Sequence, residues 1–250
     1  MSGSRKPGSI PTYPDLSIQS TVVPSNAWWV KDHTHGFERG RLVRAFIPHV
    51  DQLPYVLIEE GRREAVVHET FTCKVEPLDV KKPQKRTDFP VAGMPAYDGE
   101  VKSVYRAKKR PAVIIAEPGK EVPKELTLGK PKRHTAPTLL VAPYYGADES
   151  GQRAGFSQAF LDRVCKCEYS QFMLDWLPLS GSPAGSILRV DHIQPVGFHH
   201  NSLEPTAWRL SEAAIDVLFE WIVWHFEGSL PKDGLLECLI EMILDEEPRG

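Results

Sequence analysis

Lys109-Arg110-Pro111-Ala112-Val113-Ile114-Ile115-Ala116 sets a cationic pair directly before a short apolar run bounded by proline and, at Gly119, glycine. A run of that length and β-branched content predicts a buried strand. Downstream, Thr138-Leu139-Leu140-Val141-Ala142-Pro143-Tyr144-Tyr145 repeats the pattern and ends in hydroxyl groups. A third segment, Ser186-Ile187-Leu188-Arg189-Val190-Asp191-His192-Ile193, reads as one continuous strand that carries charge.

Further strands are expected at 41–47 and 54–58, joined by a short loop, at 65–75, at 101–105 and at 172–177. The 22 prolines favour many short strands and loops over a helical bundle, because each removes a backbone donor. Phe156 to Val164 fits a short helix. Ser211 is a good N-cap, Ile215, Leu218 and Ile222 share a face with Trp221 beside them, and Gly228 closes the helix. Leu236, Leu239, Ile240 and Ile243 stripe a second helix over 235–244. The fold class expected is therefore α+β, β-rich through the first two hundred residues and helical at the end. Residues 1–25 read as a mobile arm, 26–95 as an N-terminal β-rich extension with a proline-rich loop at 77–95, and 96–250 as the main domain.

With 41% hydrophobic and 25% charged residues, global disorder is excluded. No apolar run approaches the ~20 residues that span a bilayer, and the N-terminus lacks an apolar signal core, so a soluble cytoplasmic protein is expected. Cys73, Cys165, Cys167 and Cys238 have no disulfide-framework spacing, which points to a reducing compartment. Charge is uneven. Residues 81–133 hold 14 Lys/Arg against 6 Asp/Glu, and residues 201–250 hold 3 against 11. The basic middle suits an anionic ligand, or is a solvated surface, and the acidic tail from Glu237 to Glu247 is able to shield it.

In their order, with a helix following, the three segments resemble the PemK/MazF-like toxin endoribonucleases, across roughly residues 99–226. That family opens a strand with Arg-Pro, runs a second strand into Pro and Thr or Ser, and follows with a strand of the form SxxxxDQI. The resemblance implies an SH3-like β-barrel core with C-terminal helices and metal-independent cleavage of single-stranded RNA. It also implies a homodimer and an antitoxin, or another protein partner, covering the RNA groove. No cofactor or metal is expected, and the site would be made by Arg110, Tyr145, Arg189 and His192.

A guanidinium suits a phosphorane because its planar fork bonds two phosphoryl oxygens and stays charged. The family arginine maps onto Arg110. Tyr145 stands where the family has Thr or Ser, a departure that weakens the catalytic expectation more than the fold. The N-terminal opening of the family has two counterparts, Arg39-Gly40-Arg41 and Gly99-Glu100; the first would make residues 59–100 a large insertion. Lys108, Lys109, Lys132 and Arg133, with Tyr105 and Tyr144, are the expected RNA-binding residues, since cationic grooves with aromatic platforms hold single strands. The competing expectation is a non-catalytic SH3-like barrel serving as a protein or nucleic-acid interaction module. Cys165-x-Cys167 with His192, His199 and His200 lacks the spacing of a zinc set.

Overall fold

The computed structural model describes residues 13–14, 17–22, 28–49, 51–64, 66–67, 70–82, 84–90, 94, 97–130, 135–147, 155–179, 185–199 and 201–245. The expected mobile arm lies in part outside them. Its described turn, α1 (Ile18–Thr21), is closed by a Ser17–Ser20 capping box and puts Ile18 into the core, while Gln19 Nε2 donates to the Leu174 carbonyl at 2.7 Å.

Eleven strands are described: β1 (Trp29–Lys31), β2 (Arg41–Pro48), β3 (Tyr55–Arg62), β4 (Phe71–Pro77), β5 (Ser103–Val104), β6 (Ala107–Ala116), β7 (Thr138–Gly146), β8 (Phe172–Asp175), β9 (Ser186–Arg189), β10 (Gln194–Gly197) and β11 (Leu203–Leu210). They form two sheets. The larger runs β1-β11-β2-β6-β7-β9-β8, with β10 also on β7; the smaller runs β4-β3-β5. Every pairing with a described register is antiparallel. The α+β expectation holds, but no closed barrel forms among the described residues: β1 and β8 remain the two ends of the larger sheet.

The chain divides differently from the expected 26–95 and 96–250. One compact unit comprises residues 1–45 and 109–250, and the other residues 46–108. The second is thus inserted in sequence, leaving through β2 and returning through β6. The strands expected at 41–47 and 54–58 form as β2 and β3, and they belong to different sheets, β2 to the larger and β3 to the smaller.

Three helices complete the first unit: α2 (Gln158–Cys165), α3 (Glu212–Glu227) and α4 (Leu235–Asp245). Helix α3 begins at Ser211, whose hydroxyl accepts from the Ala214 amide, and ends at Gly228 in the left-handed region. Its buried face, including Ile215, Leu218 and Trp221, meets Leu42, Val113, Tyr144 and Leu188 from the sheet. Each such buried side chain contributes roughly 1.5–3 kcal/mol. Leu236, Leu239, Ile240 and Ile243 of α4 enter the same core. No described helix is long and apolar enough to cross a membrane.

At Gly40 the sheet and α3 approach closely. Its φ is +81°, its amide donates to the Ile114 carbonyl at 2.7 Å, and its carbonyl accepts from Leu210 at 2.9 Å. A Cβ there would lie 2.8 Å from Ile215 Cδ1. Beside it, fully buried Arg41 donates to the Asp32 carboxylate at 2.7 Å and the Thr34 hydroxyl at 2.9 Å, and also pairs with Glu38. The Thr34 amide, then its hydroxyl and Arg41, hold the Asp32 carboxyl down at about 2.

Candidate functional site

Strand β7 carries two tyrosines in sequence, and successive strand side chains face opposite ways. Tyr144 turns into the main core and is 2% exposed. Its hydroxyl donates to Asp175 Oδ2 at 2.9 Å, and the same buried carboxylate accepts from Trp28 Nε1 (3.4 Å), Trp29 Nε1 (3.3 Å) and the Trp176 amide (2.6 Å). Trp29 is on β1 and Asp175 on β8, so the two terminal strands of the larger sheet share one carboxylate. Burial pushes the Asp175 carboxyl up to about 6 against these donors. Tyr144 therefore offers no face to a ligand, which corrects its assignment to RNA binding.

Tyr145 turns the other way and is half-buried. The β6–β7 register, Ala112 opposite Pro143, continues two residues further to bring Arg110 beside Tyr145. The Arg110 guanidinium carbon lies 4.0 Å from the centre of the Tyr145 ring. On β9, Arg189 stands opposite Phe172 of β8, and its guanidinium carbon is 4.9 Å from the Phe172 ring and 5.6 Å from the Tyr145 ring.

The third segment is not one continuous strand. After Arg189 it tightens into a 3-10 turn over Val190–His192. Side chains three apart eclipse in such a turn, and Arg189 Nη2 meets His192 Nε2 at 2.8 Å. A straight strand would have sent these two side chains to opposite faces. The other imidazole nitrogen, Nδ1, is 2.8 Å from the Tyr145 hydroxyl. A guanidinium has no acceptor lone pair, so Nε2 accepts from Arg189. In the neutral ring, Nδ1 then carries the proton and donates to the Tyr145 oxygen, which keeps the phenol's own proton out of that bond.

Asp191 orients the group from outside. Arg189 Nε and Nη2 donate to its two oxygens at 2.7 and 2.6 Å. Burial raises the Asp191 carboxyl, but the Arg189 hydrogen bonds and charge outweigh it and hold the group below its ordinary value. The result is an ordered chain, Asp191–Arg189–His192–Tyr145, with Arg110 stacked on its end. It combines two permanent cations, one titratable ring and one phenol, all half-buried except Asp191.

All four residues expected at the site thus come together. Of the expected RNA-binding residues, Tyr144 is buried in the core. Lys109 is paired with Glu204; Tyr105 and Lys108 are exposed in the inserted unit; Lys132 and Arg133 lie outside the described residues, as do His200, Glu246 and Glu247. Phe172 and Asp191 were missed as site members, although the Arg-x-Asp spacing and a strand aromatic were visible signals.

Cys165 ends α2 and packs with Phe160 and Phe172, and Cys167 belongs to the main core. Burial pushes the Cys167 thiol up to about 12 and raises Cys165 as well, away from the thiolate that metals bind. Among the described residues, no three His, Cys, Asp or Glu side chains converge as a metal site. Comparison of the chain with protein-family models, with curated proteins and with solved structures gives no match.

Proposed function

We propose that this chain is a metal-independent endoribonuclease of toxin type acting on single-stranded RNA, and that Arg110, Tyr145, Arg189 and His192 are its reactive cluster. The observation that carries the proposal is the Tyr145 environment: Arg110 on its ring at 4.0 Å and His192 on its hydroxyl at 2.8 Å, from three separate chain segments.

In this reading the Arg110 guanidinium binds the non-bridging phosphoryl oxygens and stabilises the charge that builds on them. The ribose 2′-oxygen attacks phosphorus, and its proton passes to His192 Nε2 as Arg189 turns from the ring to the phosphate. The Nδ1 proton moves to Tyr145, whose own hydroxyl proton goes to the departing 5′-oxygen. The P–O5′ bond breaks, leaving a 2′,3′-cyclic phosphate and a 5′-hydroxyl, and the imidazole is again neutral. The phenol's longer reach, compared with the Thr or Ser of the PemK/MazF-like family, is compensated by its anchorage on His192. The open, mostly antiparallel sheet is in this reading a relaxed relative of the SH3-like barrel. The partners it implies are a second copy of the chain and an acidic antitoxin segment, with the cytoplasm as the compartment.

One observation favours the alternative, an RNA- or protein-binding module without chemistry: Arg189 already commits its Nε–Nη2 edge to Asp191. Incubating a long single-stranded RNA with the protein in EDTA, beside Arg110→Ala, separates the two. Fragments ending in cyclic phosphate that disappear in the variant support the nuclease. Intact RNA with both proteins selects the module.

A further inference from the structure

The cluster does not end at Arg189. Phe172 continues it, with Phe160 of α2 at 5.5 Å and Tyr169 at 6.0 Å between ring centres. Phe160 in turn meets Phe156 at 5.1 Å and Tyr169 at 5.8 Å, and the Arg163 guanidinium carbon sits 4.8 Å over Tyr169. Cations and rings therefore form a continuous row from Arg110 to Arg163. Phe156 is 44% exposed and the Arg163 side chain 56% exposed, so the far end is open to solvent.

An arginine over an outer ring face presents a cation and a π-surface side by side at the solvent-exposed end of the row. Single-stranded nucleic acid has a use for both parts, because every base offers a π-face and every linkage a negative charge. We propose that this row is a stacking track for the RNA that flanks the reactive cluster, with bases on Phe156 and Tyr169 and a backbone phosphate on Arg163. The track rests on the nucleic-acid part of the proposed function and on its site, and not on cleavage. Glu168 accepts from Arg163 Nε at 2.6 Å. A phosphate must displace that carboxylate, so Glu168 acts as a built-in competitor for the ligand.

The test uses the full chain and a fluorescent 2′-O-methyl RNA oligonucleotide, which lacks the attacking hydroxyl and so reports binding alone. Phe156, Arg163 and Glu168 are exposed positions, so substitution there is expected to leave the fold intact, checked by urea unfolding of each variant. Phe156→Ala is expected to weaken binding about tenfold, within the range for one base stacked on an aromatic ring, and Phe156→Trp to retain it. Arg163→Gln weakens binding and lowers the salt-dependence slope by about 0.7, one single-strand phosphate contact. Glu168→Gln has the opposite sign and tightens binding. Unchanged affinity in Phe156→Ala, or weaker binding in Glu168→Gln, overturns the track. If natural RNA is cut in an Arg110-dependent way while Phe156→Ala binds normally, the track fails alone. If the variants behave as expected and natural RNA stays intact, only the cleavage reading fails.

Discussion

Tyr144 and Tyr145 are neighbours on one strand and belong to two different chemistries. On one face, the Tyr144 hydroxyl meets a fully buried carboxylate among two indoles, and every partner is fixed by packing. On the other, the Tyr145 hydroxyl meets an imidazole, and its ring lies against two guanidiniums on a half-buried surface. Both are hydrogen-bonded networks of similar size. Burial decides their roles, because an interior network whose donors lose a partner costs stability, whereas a surface network is able to exchange partners with a ligand.

The largest effect is expected from Asp175→Ala, which leaves two indole N–H groups, a phenol and an amide without their acceptor. Destabilisation of about 3–5 kcal/mol follows, read from urea unfolding. RNA cleavage corrected for folded fraction should be unaffected. Arg110→Ala should do the reverse: a loss of about 10²–10³ in cleavage rate, the scale of one removed transition-state donor, with an unfolding midpoint close to wild type.

Acidity separates the faces next. The Asp175 carboxyl is raised to about 6 in the folded chain, above its unfolded value, so the folded state binds the proton more tightly. Its contribution to stability is present below about pH 4 and is lost as pH rises through about 6, a change on the order of 3 kcal/mol. Urea midpoints should fall over that window in wild type and flatten in Asp175→Asn. A profile that rises with pH, with no difference between the two proteins, would contradict the assignment.

Much of this was legible from the sequence. Ser211 and Gly228 bounded α3 because capping chemistry is local. Arg110, Tyr145, Arg189 and His192 drew notice because the first directly precedes an apolar run and the other three end or follow one. Long-range consequences were not. The inserted unit could not be told from a sequential domain, since β2 pairs across it with strands far along the chain. Strand alternation alone already required Tyr144 and Tyr145 to separate, and treating both as ligand-facing ignored it. The turn at Val190 was hidden because the apolar run Ile187-Leu188 leads straight into it, and its 3-10 geometry depends on neighbours such as Gln171, whose carbonyl accepts from the Val190 amide at 3.0 Å.

The smallest changes test the comparison most sharply, because each removes one oxygen from adjacent residues. Tyr144→Phe and Tyr145→Phe should be assayed together for RNA cleavage in EDTA, normalised to the folded fraction from urea unfolding. The account predicts that Tyr144→Phe loses about 1–3 kcal/mol of stability and keeps its normalised rate. Tyr145→Phe should stay within about 0.5 kcal/mol of wild type and lose cleavage by about 10²-fold. Equal cleavage by Tyr145→Phe and wild type, or a loss that tracks Tyr144→Phe instead, would contradict it.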